Sequence, residues 1–183
     1  EIPKSMSRMQ RLIPAYSDSL VKLADQRDDI IVLDADLVLD TGLIPFSKKF
    51  PDRFFECGIA EQDMISQAGA LALAGMLPIS HSFACFLAAR PREQIYNNAS
   101  EHTKLIYVGS LAGVLPGGPG HSHQGVGDIG TLGHIPGMTV LVPGCEEDVA
   151  PLLNWAVKVS TGACYLRLES IPVALDFEYH SRP

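Results

Sequence analysis

Two kinds of apolar pattern alternate along the chain. In residues 11–26 they recur every three or four positions, which is typical of an amphipathic helix. Residues 30–33 then form a short continuous apolar run, which indicates a strand buried on both faces. The same alternation continues to residue 168. It predicts helices over residues 58–75, 92–102 and 146–159, and strands over residues 78–83, 104–109, 138–142 and 163–168.

Strands that alternate with helices predict a mainly parallel sheet with helices on both faces, the doubly wound α/β fold. In such a sheet, ligands bind beyond the carboxyl ends of the strands. Three segments fall at that edge: residues 34–42, residues 83–92, and the glycine-rich residues 115–130, which we expect to form a loop. We expect residues 1–183 to form a single domain.

Composition and charge exclude several classes of function. Hydrophobic residues make up 46% of the chain and charged residues 19%, which is the composition of a globular protein rather than a disordered one. The formal net charge is −7, and no Lys/Arg-rich run interrupts it. Nucleic acids and acidic membrane surfaces are therefore not expected as partners.

Localisation is predicted from the same features. No apolar stretch reaches the roughly 18 residues that a membrane span needs, and no signal-peptide core follows the N-terminal Glu1. The four cysteines are far apart and lack C-x-x-C spacing, so we interpret them as buried free thiols rather than disulfides or metal ligands. These are Cys57, Cys85, Cys145 and Cys164. We expect a cytoplasmic protein.

Glu61 is the first candidate for chemistry. It lies at the start of the predicted helix 58–75, which is otherwise rich in small and apolar residues. An acid in the first turn of a helix is favoured by the helix dipole alone, so its position has an ordinary structural explanation. The surrounding run Gly58-Ile59-Ala60-Glu61-Gln62-Asp63-Met64 makes a functional role more specific.

This run resembles the pyrimidine-binding domain of transketolases, deoxyxylulose-phosphate synthases and the β subunits of 2-oxo acid dehydrogenases. Further segments resemble the same family in the same order, from about residue 11 to residue 168. They are Asp34-Ala35-Asp36-Leu37, Arg53-Phe54-Phe55, Phe83-Ala84-Cys85-Phe86, Gly120-His121-Ser122-His123-Gln124-Gly125, and Pro136-Gly137-Met138-Thr139-Val140. One such segment would be weak evidence, whereas five in order are strong.

The resemblance implies a cofactor, thiamine diphosphate, and roles for individual residues. Glu61 would hydrogen-bond N1′ of the aminopyrimidine, and an apolar pocket around its carboxyl group would favour a shared proton. Of the two aromatic residues Phe83 and Phe86, which could also be ordinary core residues, we expect Phe86 to stack on the pyrimidine ring. The resemblance also assigns Asp36 and Leu37 to cofactor binding.

Three histidines are candidates for contact with a substrate. His123 precedes Gln124 and is similar to the loop histidine of the family, and His121 lies two residues before it. His81 lies in the predicted strand 78–83. Each could polarise a carbonyl group or carry a proton, although an isolated loop histidine is usually only solvated. His121 and His123 lack neighbouring ligands at zinc spacing, so no metal site is predicted in this chain.

The family's Gly-Asp-Gly…Asn motif, which holds Mg²⁺ and the diphosphate, does not occur in this sequence. The nearest segment, Gly127-Asp128-Ile129-Gly130 with Asn154 downstream, has Ile129 at the third position. The resemblance therefore implies a partner subunit that supplies the metal site, with the cofactor between the two chains in an α2β2 assembly. We expect the chain to be inactive without this partner. We also expect the family's usual C-terminal third domain to be absent from this subunit; the alternatives are that it lies on another chain or that the sequence is a fragment.

The sequence leaves several classes of acceptor substrate possible. The resemblance implies transfer of a two-carbon ketol unit, but Pro119, Glu169-Ser170 and Asp40 stand where sugar-phosphate transketolases place an acid, an arginine and a hydroxyl group. An acid repels a phosphate, and loss of an arginine removes a bidentate partner. Three acceptor classes therefore compete: sugars in ordinary ketol transfer, a lipoyl group or carrier-protein thiol, and the acceptor of a 2-oxo acid decarboxylating component.

Two functions from other classes make different demands on the sequence. A non-catalytic scaffold subunit would keep the fold without needing an acid at the start of a buried helix. A Rossmann-type nucleotide binder requires Gly-x-Gly-x-x-Gly between a strand and a helix. Residues 113–120 have the glycines without that spacing, and Pro116 and Pro119 are unsuited to the start of a helix.

Overall fold

A six-stranded parallel sheet forms the centre of the computed structural model, which describes residues 9–174. The expectation about the N-terminus at Glu1 falls outside the described residues. In chain order the elements are β1 (Met9–Gln10), α1 (Leu12–Ala24), β2 (Ile30–Asp34), α2 (Ile44–Lys49), β3 (Phe54–Glu56), α3 (Glu61–Leu73), β4 (Leu77–Phe83), α4 (Ala84–Ala89), α5 (Arg92–Ser100), β5 (Ile106–Ser110), α6 (Asp128–Gly133), β6 (Thr139–Leu141), α7 (Glu146–Lys158), β7 (Cys164–Arg167) and β8 (Val173–Ala174).

The strand order of the main sheet is β3-β2-β4-β5-β7-β6, and every neighbouring pair in it is parallel. The strands β1 and β8 form a separate antiparallel pair. In register, Asp34 of β2 lies beside His81 of β4, and Phe83 of β4 lies beside Ser110 of β5. The carboxyl ends of the central strands therefore meet at one edge, where a ligand site is expected.

Two hydrophobic clusters cover the two faces of this sheet. The first packs α1, α2 and α7 against one face, with Tyr16 and Leu20 fully buried at its centre. The second packs α3, α4, α5 and α6 against the other face, around Met64 and Ile65. The doubly wound α/β fold predicted from the sequence is therefore confirmed.

Some element boundaries differ from the predictions. The helix predicted from residue 58 begins at Glu61, because Gly58 has a positive φ of +70° and Ala60 is not helical. The predicted loop 115–130 ends earlier, since α6 begins at Asp128. Six short elements were not predicted, namely β1, α2, β3, α4, α6 and β8.

The cysteines were expected to be buried free thiols. All four lie in the described range and are free; Cys145 and Cys164 are buried, whereas Cys57 and Cys85 are half-buried. Burial raises the pKa of each thiol. None of the four therefore has the lowered pKa of a reactive cysteine.

Candidate active site

Glu61 is a deeply buried acid at the carboxyl edge of the sheet, and it lines a cavity. It is the first residue of α3 and only 2% exposed. Its Oε1 accepts hydrogen bonds from Ser82 Oγ at 3.1 Å and from Arg90 Nη1 at 2.6 Å. Within residues 9–174 no donor bonds Oε2. We expected apolar side chains around this carboxylate. Instead, its partners are the Arg90 guanidinium, in an ion pair, and the Ser82 hydroxyl group.

A cavity of about 480 Å³ opens beside this carboxylate. Its lining comes from the turn before α3, the first residues of that helix, and the residue after α4. These residues are Ile59, Ala60, Glu61, Gln62, Asp63 and Arg90. The buried carboxylate is therefore within reach of a ligand that enters from the surface.

An aromatic group lies next to the ion pair. The ring centroids of Phe83 and Phe86 are 5.8 Å apart, and the His123 imidazole packs edge-on at 5.2 Å from Phe86 and 6.2 Å from Phe83. The Arg90 guanidinium carbon lies 3.8 Å from the centroid of the Phe86 ring. Glu61, Phe86 and His123 are distant in sequence, and the fold brings them to one place.

Close backbone packing brings the loop that carries His123 to this place. A β-carbon on Gly125 would lie only 2.8 Å from Cβ of Ala84, the first residue of α4. The same glycine forms β-bridges with Ala112 and Gly113, at the start of the loop. The absence of a side chain at Gly125 therefore lets both arms of the loop approach α4.

The turn after β2 is held by two acids. The Asp36 amide donates to Glu56 Oε1 at 2.8 Å, and the Leu37 amide donates to Asp34 Oδ2 at 2.6 Å. Asp36 has a positive φ of +62°. Burial of Asp34, together with the charge of Glu56, raises its pKa to about 7, although hydrogen bonds from Leu37 and Thr41 oppose the rise.

The described geometry matches a known family. The model of the family described as "Transketolase, pyrimidine binding domain" matches residues 10–171. The chain belongs to this family. The resemblance found in the sequence is thereby confirmed at the level of the domain.

The curated relatives of this chain include longer enzymes, the 1-deoxy-D-xylulose-5-phosphate synthases. This pyrimidine-binding domain is 36% identical to the enzyme of Clostridium acetobutylicum over 144 residues, covering 79% of this chain and 23% of that protein. It is 35% identical to the enzyme of Mycolicibacterium gilvum over 162 residues, covering 88% and 25%. The chain thus spans about a quarter of the length of these curated relatives.

Solved structures give the same fold. A chain described as "Split gene transketolase, inactive beta4 tetramer" is 32% identical, with a TM-score of 0.79, and the match covers 94% of this chain and 54% of that one. The transketolase of Campylobacter jejuni has a TM-score of 0.84 at 18% identity, covering 95% and 28%. The second likeness supports the fold alone.

His81 does not fit the predicted contact with a substrate. Its side chain is fully buried between α1 and the sheet, where its Nε2 lies 2.6 Å from the Tyr16 hydroxyl and its Nδ1 lies 3.1 Å from the Leu33 carbonyl oxygen. Because a carbonyl oxygen only accepts, Nδ1 carries the proton and Nε2 accepts from the phenol. Burial lowers the pKa of His81 to about 4. His81 is therefore a neutral core residue in this domain.

The two loop histidines differ in their surroundings. His123 is half-buried against the aromatic group, and its Nδ1 lies 3.0 Å from the Ser122 hydroxyl. His121 is exposed at the start of the same short 3₁₀ turn. Only His123 is in contact with the aromatic residues of the candidate site.

Two charged groups at this edge were not predicted from the sequence. Arg90 follows α4, and no local pattern indicates that it pairs with Glu61, 29 residues earlier. Asp128, which is 2% exposed, accepts from the Tyr165 hydroxyl at 2.7 Å and from Arg167 Nε at 2.9 Å. A buried Asp after a glycine-rich loop, with an Arg at the end of the last strand, is the only signal that would have suggested this pair.

The residues present fit the pyrimidine half of thiamine diphosphate. A carboxylate with one unbonded oxygen and a neighbouring aromatic ring suits an aminopyrimidine, which has a ring nitrogen to hydrogen-bond and a face to stack. Residues 9–174 contain no group of three or more His, Cys, Asp or Glu side chains that could hold a metal ion. In the same range, no helix is long and apolar enough to cross a membrane.

Proposed function

We propose that this chain is the pyrimidine-binding subunit of a two-component, thiamine-diphosphate-dependent transferase that moves a two-carbon ketol unit. The observation that carries the proposal is the position of Glu61, a buried carboxylate that lines a cavity and has one oxygen unbonded within the described residues. The family membership and the synthase relatives support the same reading.

The chemistry of the cofactor assigns a task to each residue. When bound, thiamine diphosphate supplies a thiazolium carbon that becomes nucleophilic on loss of a proton. Glu61 would hold a proton against N1′ of the aminopyrimidine through Oε2. Phe86, with Phe83 behind it, would contact the pyrimidine ring, and His123 would face the substrate from the adjacent loop. Asp36 and Leu37 would contact the cofactor from the turn after β2.

A partner subunit would supply the rest of the site. This sequence has no Gly-Asp-Gly motif for Mg²⁺ and the diphosphate. Large apolar side chains are exposed around the carboxyl edge, namely Leu39, Ile59, Val114, Leu115 and Val126. Burial of these side chains under a partner would be favourable. The likeness to a split-gene transketolase, described as an inactive β4 tetramer, supports an enzyme divided between two kinds of chain, for which we propose an α2β2 assembly.

The ion pairs of Arg167 restrict which class of acceptor substrate the site can bind. Its guanidinium is 12% exposed and is already paired with Asp128, while Glu169 Oε1 lies 3.5 Å from Nη1. A phosphate arriving there would meet a neutralised cation beside a second acid, which disfavours it. We therefore propose an acceptor without a phosphate at that position. Two alternatives remain predictions. One is a lipoyl or carrier-protein thiol as the acceptor, and the other is a non-catalytic scaffold role.

The decisive experiment is cofactor binding by the reconstituted complex. The chain is co-expressed with a partner that carries Gly-Asp-Gly…Asn, and thiamine diphosphate with Mg²⁺ is titrated by calorimetry into the wild type and Glu61→Gln. We expect saturable binding by the wild-type complex and none by this chain alone. Loss of the charge at Glu61 is expected to abolish turnover of a two-carbon ketol donor.

Glu101→Gln is the matched control, because Glu101 is an exposed acid at the end of α5. It is expected to behave as the wild type in binding and in turnover. A complex that binds no cofactor would refute the proposal. Full turnover by Glu61→Gln would instead favour the scaffold reading.

A further inference from the structure

Arg90 contacts both groups assigned to the aminopyrimidine. Its Nη1 donates to Glu61 Oε1 at 2.6 Å, and its guanidinium carbon lies 3.8 Å from the centroid of the Phe86 ring. The side chain is 40% exposed, whereas that of Glu61 is 2% exposed. A single planar cation therefore lies between the buried carboxylate and the aromatic face.

The backbone of Arg90 fixes the origin of its side chain. Its amide donates to the Phe86 carbonyl at 2.8 Å, and its carbonyl accepts from Gln62 Nε2 at 3.2 Å. The residue thus joins the end of α4 to the first turn of α3 at the main chain as well as at the side chain. Both candidate binding groups, Glu61 and Phe86, lie on the two elements that it joins.

We propose that Arg90 is a positioning residue for the aminopyrimidine, an inference that rests on the proposed function. It occupies Oε1 of Glu61 together with Ser82, and it covers one face of Phe86. Oε2 of the carboxylate remains for the ligand, and Phe86 is half-buried, so part of its ring is accessible. Arg90 sets the distance and angle between these two contacts, because one rigid guanidinium touches both partners.

The charge of Arg90 has a second consequence. A buried carboxylate without a cationic partner is costly, so Glu61 without Arg90 would turn toward another donor. Asp63, which lines the same cavity, brings a second negative charge near Glu61 and gives no such compensation. Arg90 is therefore expected to hold the Glu61 carboxylate in one orientation before the ligand arrives.

The test is a comparison of Arg90→Gln, Arg90→Lys and Arg92→Gln in the complex with the partner subunit. Thiamine diphosphate with Mg²⁺ is titrated by calorimetry, and each variant's unfolding midpoint is measured alongside. Arg90→Gln is expected to raise Kd at least about tenfold, as for loss of a hydrogen bond to a charged group. Arg90→Lys is expected to restore part of this loss, since it keeps the charge without the planar contact.

Arg92→Gln is the matched control, because Arg92 lies two residues further on, is exposed and contacts His134 at 2.9 Å rather than Glu61. Its Kd is expected to stay within about twofold of the wild type, as for a surface polar contact. A second probe is a cofactor analogue in which carbon replaces N1′. With this analogue, Arg90→Gln should raise Kd by a smaller factor than with the cofactor. The analogue lacks the nitrogen that Glu61 would bond, so neither the wild-type nor the variant complex makes the contact that Arg90 positions.

Equal loss of affinity for the cofactor and the analogue, with a lowered unfolding midpoint, would mean that Arg90 is only structural and would overturn the inference. Tighter cofactor binding by Arg90→Gln would also overturn it, because Arg90 would then compete with the ligand. If the wild-type complex binds but Arg90→Gln binds equally well, this inference alone fails. If the wild-type complex binds no cofactor, the proposed function fails, and the inference fails with it.

Discussion

The Tyr165 hydroxyl oxygen lies where a side chain on Gly109 would begin. A β-carbon on Gly109 would be 2.5 Å from that oxygen, 2.8 Å from a ring carbon of the same tyrosine and 3.1 Å from Cα of Ala84. The phenol cannot simply move aside, because its hydroxyl donates to the buried Asp128 at 2.7 Å. Gly109 thus joins the packing of β5 and β7 to the start of α4, which carries Phe86.

Gly109→Ala is therefore expected to destabilise the domain by about 1–3 kcal/mol, the usual cost of overpacking a rigid core. Urea unfolding, followed by circular dichroism, measures the change. Gly130→Ala is the control, because Gly130 lies in α6 with open space around it. That variant should be neutral or slightly stabilising, since alanine is the better helix former. Equal stability of the two variants would contradict the steric explanation.

Asp128→Asn tests the buried pair with Arg167. The amide keeps an acceptor for the Tyr165 hydroxyl, but the guanidinium, which is 12% exposed, loses its buried counter-ion. We expect a loss of about 3 kcal/mol in the free energy of unfolding. At the surface pair, Asp29→Asn removes a partner of Arg27 whose side chain is 36% exposed, and it should cost less than about 1 kcal/mol. Similar losses at both sites would show that burial is not the cause.

His123→Asn and His121→Asn separate the two loop histidines. His123 packs edge-on at 5.2 Å from Phe86, whereas His121 is exposed. If His123 transfers a proton or polarises the substrate, kcat/KM of the complex should fall by about 10²–10⁴. His121→Asn should stay within a few-fold of the wild type. Steady-state kinetics with a two-carbon ketol donor decides between them, and the reverse ranking would reassign the role to His121.

The sequence alone was enough to predict the fold and several residues of the candidate site. Short apolar runs and helical periodicities follow from the local backbone geometry of strands and helices, so they can be recognised in the sequence. Their alternation along the chain predicted the parallel sheet. Glu61, Phe86 and His123 lie in segments whose order resembles one family. The fold brings these three together, as that resemblance implied.

The remaining features depend on contacts that no local pattern encodes. Arg90 contacts Glu61 from 29 residues further along the chain, and Asp128 contacts Arg167 across 39 residues. His81 was expected to face a substrate, but alternation along β4 turns it toward α1, where Tyr16 binds it. The short helix α4 was missed because it follows β4 without an intervening loop, so no turn signal separates them.

His81→Leu tests the core position of that histidine. The substitution leaves the Tyr16 hydroxyl and the Leu33 carbonyl without their partner, and we expect a loss of about 2 kcal/mol or more at pH 7. Cofactor affinity and turnover of the folded complex should stay near the wild-type values. Unchanged stability together with a large rise in KM would instead restore His81 as a substrate contact.

His81 also gives the domain a sensitivity to acid. Its folded-state pKa is lowered to about 4, below the value of about 6.5 in an unfolded chain, so the unfolded state binds more protons between these values. The stabilising contribution is therefore complete above about pH 6.5 and is lost as the pH falls toward 4. His81→Leu should lose this contribution, so its stability, measured by urea unfolding at pH 4.5, 5.5 and 6.5, should rise less with pH than that of the wild type.

Asp34 produces a slope of the opposite sign over the same pH range. Burial and the charge of Glu56 raise its pKa to about 7 in the folded state, so the folded state binds more protons than the unfolded one between about pH 4 and 7. Stability therefore falls as the pH rises through this window, by up to roughly 4 kcal/mol. In the wild type, the contributions of His81 and Asp34 partly cancel.

Asp34→Asn separates the two contributions. The amide can still accept from the Leu37 amide, and its NH₂ group can donate to the Thr41 hydroxyl, which already donates to the Leu37 carbonyl. Without the ionisable group, stability should rise steadily from pH 4 to 6.5 and exceed that of the wild type at pH 8. A variant that is less stable than the wild type at pH 8 would mean that the folded domain stabilises the ionised form of Asp34, which contradicts the raised pKa.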